Sequence, residues 1–277
     1  MKRICAITMA RNDAFFLKKW IQYYGEQLGE ENLFAFLDGK DQSYNEYVGL
    51  AHITAVDRIG GQVVSAEKKR LAFLSKQAAL LLQEYDLVIG CDVDEFLVVD
   101  PQLNMTLREY LSQRKINVSL SGLGLDVGQH LQKETQIRAD QNFIEQRRYA
   151  VLSSRYTKPV VVAKPVTWGS GFHRVKGHNF HIDKHLYLFH FGYFDDAMIQ
   201  ARMADKDRQA AGWAKHIEKR TRTIRTVTAQ KALDGDTYMP LARIIQTWLR
   251  PIYALNKPSM AWFKWVVYIP QRFCKIL

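Results

Sequence analysis

Short apolar runs alternate with amphipathic stretches through the first hundred residues of the chain. Ile4 to Met9 has the length and composition of a strand, and it breaks at Ala10, Arg11, Asn12 and Asp13, which offer helix N-caps. Leu17, Trp20, Ile21, Tyr24 and Leu28 then recur at helical spacing, and the helix is expected to stop near Gly29. Leu33 to Leu37 reads as a second strand ending at Asp38 and Gly39, and Ile53 to Val56 as a third ending at Asp57 and Arg58. A second amphipathic helix is expected from about Ala66, with Leu71, Leu74, Ala78, Leu81 and Leu82 on one face and Lys68, Lys69 and Arg70 near its start. It feeds the run Leu87 to Cys91, which ends in Asp92, Asp94 and Glu95. Alternation of this kind predicts an α/β fold with a mixed, mainly parallel sheet flanked by helices, and ligands of such sheets bind beyond the carboxyl ends of the strands.

The pattern weakens after Pro101. Leu107 to Leu111 fits a short helix, Val118 to Leu125 a strand before Asp126, and residues 133–150 support no assignment. Val160 to Ala163 is β-branched and precedes Trp168, Gly169, Ser170, Gly171, Phe172 and His173, a glycine-bearing loop that a ligand or another segment approaches closely. Leu186 to Phe191 is a further apolar strand carrying His190, and Asp195 or Asp196 is placed to cap a helical region running with interruptions to about Leu233.

Composition changes this picture in two places. The net charge of +11 favours an anionic partner. After Asp236 there is no Asp or Glu, while Arg243, Arg250, Lys257, Lys264, Arg272 and Lys275 are interleaved with Trp248, Trp262, Phe263, Trp265, Tyr268 and Phe273. The expected division is therefore a main domain over 1–235 and a basic, aromatic, helical extension over 236–277. Residues 237–277 suit an interfacial helix on an anionic membrane surface, and equally a packing helix or a dimer contact. No nucleic-acid module accompanies them, so nucleic acid is not expected as a partner. Cys5, Cys91 and Cys274 lack metal-ligand spacing, which points to a reduced compartment and no zinc site. The early break at Arg11 argues against a signal peptide, and Met260 to Pro270 falls short of the roughly 20 residues of a membrane span. A cytoplasmic protein, peripheral at most on the inner face of the cytoplasmic membrane, is the expectation.

Three carboxylates at one strand end repel one another unless a cation or basic groups neutralise them. Hard oxygen ligands in this arrangement suit Mg²⁺ or Mn²⁺ shared with phosphate oxygens. An acidic turn capping a following helix fits the same residues.

Taken together, the first strand with Arg11 and Asn12, the second strand ending in Asp38, the signature Asp92-Val93-Asp94-Glu95-Phe96, the Trp168 to His173 segment and His190 resemble nucleotide-diphosphate-sugar glycosyltransferases of the GT-A fold. Family-2-like transferases of bacterial surface-polysaccharide loci are the nearest pattern. The resemblance implies a metal-assisted, non-processive transfer of a sugar from a nucleotide-diphosphate donor to a saccharide or lipid-linked acceptor, in cell-surface polysaccharide or lipopolysaccharide synthesis. It further implies that Asp38 lies near the nucleotide, with Arg11, Asn12, Lys69 and Asp92 on the donor side, and that Asp92, Asp94 and His190 hold Mn²⁺ or Mg²⁺. For an inverting reaction a base is needed, and His173, Asp126 and Asp183 are the candidates, with Glu95 a candidate on the acceptor side. The chain departs from the family pattern in lacking a clear Glu-Asp pair and the Gln-x-x-Arg-Trp motif of processive members. Two other functions fit parts of the pattern: a haloacid-dehalogenase-like phosphotransferase using an acid-x-acid strand end, and a non-enzymatic binder of anionic lipid or nucleic acid.

Overall fold

The computed structural model describes residues 1–42, 49–138, 140–179, 181–206, 209, 221–255 (the backbone alone over 249–255) and 264–276. Strands β1 (Ile4–Ala10), β2 (Leu33–Asp38), β3 (His52–Val56) and β4 (Leu87–Gly90) pair in parallel in the order β3-β2-β1-β4. Between them run α1 (Ala14–Leu28) and α2 (Val63–Leu81). Alternate residues of β1 enter two separate cores: Ile4 and Ala6 join Trp20 and Tyr24 of α1, whereas Cys5, Ile7 and Met9 join Leu71, Leu74 and Ala78 of α2. A strand covered on both faces must be apolar at every position, which is why β1 and β4 read as unbroken runs.

The second half makes the sheet mixed. Strand β6 (Ser119–Val127) is flanked on one side by β7 (Tyr149–Leu152) and β8 (Val161–Val162), both antiparallel to it, and β8 connects back to β4. On its other side lies the parallel β9 (His181–His190), which pairs in turn with antiparallel β5 (Glu95–Val99). The sequence pattern did not separate β5 from β4. Only Cys91, Asp92, Val93 and Asp94 divide them, and β5 is itself wholly buried. Its remaining edge is satisfied from α1: Leu97 N–H donates to Tyr24 Oη at 2.9 Å, and Tyr23 Oη donates to the Leu97 carbonyl at 2.7 Å. Residues 133–150, for which the pattern supported no assignment, hold the one-turn helix α4 (Phe143–Gln146) and the start of β7. The short helix α3 (Leu107–Ser112) forms where expected, closed by a Thr106–Glu109 capping box.

After β9, Asp195 caps α5 (Asp196–Ala204) by accepting from Met198 N–H at 3.0 Å. The expected continuation to Leu233 falls partly outside the described residues, beyond which come α6 (Arg222–Ala229), β10 (Leu233–Asp234) and α7 (Gly235–Leu255). The 236–277 stretch is woven into the same sheet: β11 (Val266–Tyr268) pairs with β7 and β10. Phe273 and Cys274 are buried, and Arg272 reaches Asp100 at 2.9 Å. Trp262, Phe263 and Lys257 of the proposed interfacial segment lie outside the described residues. No described helix is long and apolar enough to cross a membrane.

Gly124 fixes how the 153–157 turn sits on β6. A Cβ there would fall 2.2 Å from the Tyr156 carbonyl carbon and 2.3 Å from Thr157 N, both backbone atoms that cannot swing away. Gly124→Ala should therefore destabilise the fold by about 1–3 kcal/mol, read as a lowered urea midpoint at unchanged slope.

Candidate active site at the carboxyl edge of the sheet

The ends of β1, β4, β6 and β9 and the start of β5 meet at one edge. Register makes the meeting specific, since His190 stands opposite Glu95 on β5 and opposite Asp126 on β6.

Asp92 is clasped by two cations. Arg70 Nη2 donates to Oδ1 at 2.8 Å and Lys158 Nζ to Oδ2 at 2.9 Å. Burial alone would raise the Asp92 pKa, but Lys158 and Arg70 override it and hold the carboxyl well below the usual range. Lys158 also ion-pairs with Glu95, and burial would lower its pKa, yet Asp92 and Glu95 hold it up at about 12. Glu95 is fully buried, and that burial pushes it up to about 7 against the pull of Lys158. Arg70 is braced by Glu67 at 2.8 Å, and Glu67 also accepts from Gly171 N–H at 2.7 Å, which ties the Trp168–His173 loop to α2. Lys69, the expected donor-side cation, lies on the exposed side of α2; the next residue, Arg70, is the one that reaches Asp92.

Asp94 and His190 form a second group. A Cβ built on Gly192 would lie 2.6 Å from both Asp94 Oδ2 and His190 Nε2, so the two atoms close in on the bare Cα of Gly192 and lie no more than 5.2 Å (twice 2.6 Å) from each other. His190 Nδ1 is held by Asp126 Oδ1 at 2.7 Å, Asp126 Oδ2 accepts from Thr223 at 2.6 Å, and the Tyr156 ring stacks on the imidazole at 3.8 Å. The Nδ1 contact to a carboxylate leaves Nε2 its lone pair for a ligand. Arg202 of α5 donates to Asp94 at 3.3 Å, to Asp13 at 2.7 Å and to the Gly192 carbonyl at 2.6 Å. The side chain of Asp13, at the N-cap position of α1, makes no cap hydrogen bond.

The expected trio of Asp92, Asp94 and His190 is thus divided. Among the described residues no three or more His, Cys, Asp and Glu side chains gather in a metal-holding geometry, because both Asp92 oxygens face cations. Asp94 and His190 are the two of that trio near enough to each other to hold one cation together.

Of the remaining candidates, Asp38 caps the loop after β3 by accepting from Ile59 N–H at 2.6 Å, while its carbonyl accepts from Arg11 at 2.6 Å. Asn12 N–H donates to Gln42 at 2.7 Å and its amide to Asp205 at 3.2 Å, tying the β1 loop to the residue after α5. His173 places Nδ1 2.7 Å from the Arg155 carbonyl, so that nitrogen carries the proton and Nε2 is the acceptor. Burial, then Lys158 and Arg155, keep His173 well below the usual imidazole range. Asp126 serves His190 and Thr223. Asp183 belongs elsewhere: it accepts from Tyr110 at 2.5 Å and lies roughly 23 Å down β9 from His190 at ~3.3 Å per residue. Sequence reasoning missed Lys158, Arg202, Tyr156 and Gly192. None of them lies in a periodic run, and their only signal is clustering in space.

The chain matches no protein-family model and no curated relative. Among solved structures it is similar to a glycosyltransferase involved in glycosylation of the major capsid of PBCV-1, at 11% identity and TM-score 0.25, covering 43% of this chain and 51% of that one. It thus spans about half the length of that protein. It is similar also to mannose-1-phosphate geranyltransferase from Thermus thermophilus, at 10% identity and TM-score 0.30, covering 96% and 74%. A third likeness is to CMP:2-keto-3-deoxy-manno-octonic acid synthetase complexed with CTP, at 14% identity and TM-score 0.28, covering 80% and 87%.

Glu95 supplies a pH test. Its folded pKa of about 7 exceeds its ordinary value of 4.5, so between those values the folded chain keeps a proton that the unfolded chain has lost. Folding stability therefore falls as pH rises through that window. Glu95→Gln should flatten this slope, measured as the difference in denaturant midpoint between the two ends of the window.

Proposed function

We propose that this edge binds a nucleotide-diphosphate sugar and passes the sugar to an acceptor hydroxyl, in the manner of a non-processive, family-2-like GT-A glycosyltransferase serving cell-surface polysaccharide or lipopolysaccharide synthesis. The observation that carries the reading is the close approach of Asp94 Oδ2 to His190 Nε2 over Gly192, with the histidine already oriented through Asp126.

Asp94 and His190 would together hold Mg²⁺ or Mn²⁺, and such a cation stabilises the negative charge that the leaving diphosphate gains as the glycosidic bond breaks. The chain does the rest. Asp126, Thr223 and Tyr156 keep the His190 ring in place, and Arg202, already at Asp94, offers a guanidinium fork suited to phosphate oxygens. Arg70 and Lys158 keep Asp92 ionised as an acceptor for donor hydroxyls, and Arg11 with Asp38 shapes the loop on the nucleotide side. For transfer with inversion, His173 takes the acceptor proton at Nε2, being neutral and adjacent to the Lys158 group. The phosphotransferase alternative expects its nucleophilic aspartate near the first strand with a later acidic pair, whereas the acid-x-acid pair of this chain, Asp92 and Asp94, follows the fourth.

Thermal-shift screening of nucleotide sugars with and without Mn²⁺ tests the binding half. A donor at ~100 times its Kd stabilises the native state by about 2.7 kcal/mol. Asp94→Asn should remove the Mn²⁺-dependent part, and so should Gly192→Ala, whose methyl would displace Asp94 Oδ2 and His190 Nε2; no metal-dependent shift with any donor would sink the reading. For the base, His173→Ala should cut turnover by about 10²–10⁴-fold with the donor-dependent shift intact. Full turnover in that variant removes His173 from the role.

A further inference from the structure

Arg202 of α5 reaches three acceptors with one guanidinium. Nη2 donates to Asp13 Oδ2 at 2.7 Å, while Nη1 donates to the Gly192 carbonyl at 2.6 Å and to Asp94 Oδ2 at 3.3 Å. The longest, and so weakest, of the three contacts falls on the oxygen that also approaches His190 Nε2 over Gly192. One carboxylate oxygen is therefore claimed twice, by the guanidinium already on it and by any cation held jointly with His190.

The surroundings keep Arg202 in place when it gives Asp94 up. The guanidinium lies over the Phe16 ring, 4.9 Å from its centroid, and the side chain is 11% exposed. A charge so enclosed needs an acid beside it. Asp13 supplies one, and its carboxylate is spent on Arg202 rather than on the N-terminus of α1 that its position would let it cap. The residue after α5, Asp205, is tied to the same β1 loop by Asn12 Nδ2 at 3.2 Å.

We propose that Arg202 is the internal counter-ion of Asp94, and that it exchanges Asp94 for the diphosphate of an incoming donor when a divalent cation takes that carboxylate. The exchange rests on the metal-assisted sugar-transfer reading above and adds to it a residue with two states. In the first, Arg202 neutralises Asp94 and opposes a divalent cation on the same oxygen, since like charges so close repel. In the second, Nη2 stays with Asp13 while Nη1, turned from Asp94, donates to a phosphate oxygen. Cation and diphosphate each favour the second state, so each raises the affinity of the chain for the other. Arg70 and Lys158 cannot act in this way, because each already holds two acids and neither of them touches Asp94.

Two probes read the exchange in the full chain: Mn²⁺ alone, followed by electron paramagnetic resonance, and pyrophosphate alone in EDTA, followed by calorimetry. Arg202→Met should bind Mn²⁺ about tenfold more tightly than the unaltered chain and pyrophosphate about tenfold more weakly, the size of one charged hydrogen bond. Loss of a merely structural residue would weaken both. The gain in Mn²⁺ affinity should persist in ~0.5 M KCl, where an effect of the general field fades. Arg202→Gln, which keeps a donor for Asp13, should show the same two directions and carries the test if Arg202→Met melts lower. Equal Mn²⁺ affinity in all three chains, or a gain that salt abolishes, overturns the exchange and leaves the sugar-transfer reading standing. Unchanged pyrophosphate binding overturns the handover to the diphosphate. Absence of Mn²⁺ binding from every chain, with and without donors, overturns the metal site and the exchange with it.

Discussion

The contact between Lys158 and Asp92 holds the carboxyl edge together. Lys158 is almost wholly buried, and a buried ammonium is tolerated only while paired. Removing one member of such a pair typically costs about 3–5 kcal/mol, because the other is left as an uncompensated charge. Four segments depend on it. The β4–β5 turn brings Asp92 and Glu95, the 153–157 turn delivers Lys158, α2 contributes Arg70, and Glu67 extends the network to the 168–173 loop. Gly124 on one side and Gln246 on the other keep the 153–157 turn at the depth the pair requires.

That contact also separates the roles of neighbouring acids. With both oxygens of Asp92 facing cations, Asp94 is the carboxylate that stands beside His190 over Gly192. Asp94 does have a cation within reach in Arg202, but at 3.3 Å the contact is longer than the 2.7 Å contact between Arg202 and Asp13. Arg202 therefore leans toward the β1 loop, and α5 is tethered across the mouth through Asp13 and, by way of Asp205, through Asn12.

The strands of the first half were legible because burial on both faces writes an unbroken apolar run, and the strand ends placed Asp38, Asp92, Asp94 and His190 on one edge. Three features escaped for identifiable physical reasons. Nothing in the helix start Lys68-Lys69-Arg70 tells which cation turns inward, since that depends on where Asp92 and Glu67 stand. The Asp126–His190 contact depends on β6–β9 register, which no local pattern encodes. Strand β11 was hidden by the basic and aromatic character of the tail, whose Arg272 finds its acid, Asp100, far back in the sequence. Tyr24 was read as a core-facing helix residue, which it is; its hydroxyl additionally satisfies the backbone of β5, a role set entirely by which strand edge lies beneath.

The placement of charge bears on what the edge attracts. Inside it each cation is shared between two acids: Arg70 with Glu67 and Asp92, Lys158 with Asp92 and Glu95, Arg202 with Asp13 and Asp94, so that three cations hold five carboxyl groups. Beside Asp126 the balance changes. Lys264 has its pKa lowered by partial burial and then by Arg222 and Arg155, which stand close enough to repel it, with Asp126 opposing. Lys264, Arg222 and Arg155 thus gather at this flank, beside an Asp126 that also holds His190 and Thr223. A cluster of cations draws anions from solution and is screened by salt. The interior, where carboxyl groups outnumber cations, has no positive pull of its own and a geometry fixed by its ion pairs. Any attraction this edge exerts on an anion therefore comes from its flank, while the interior sets position.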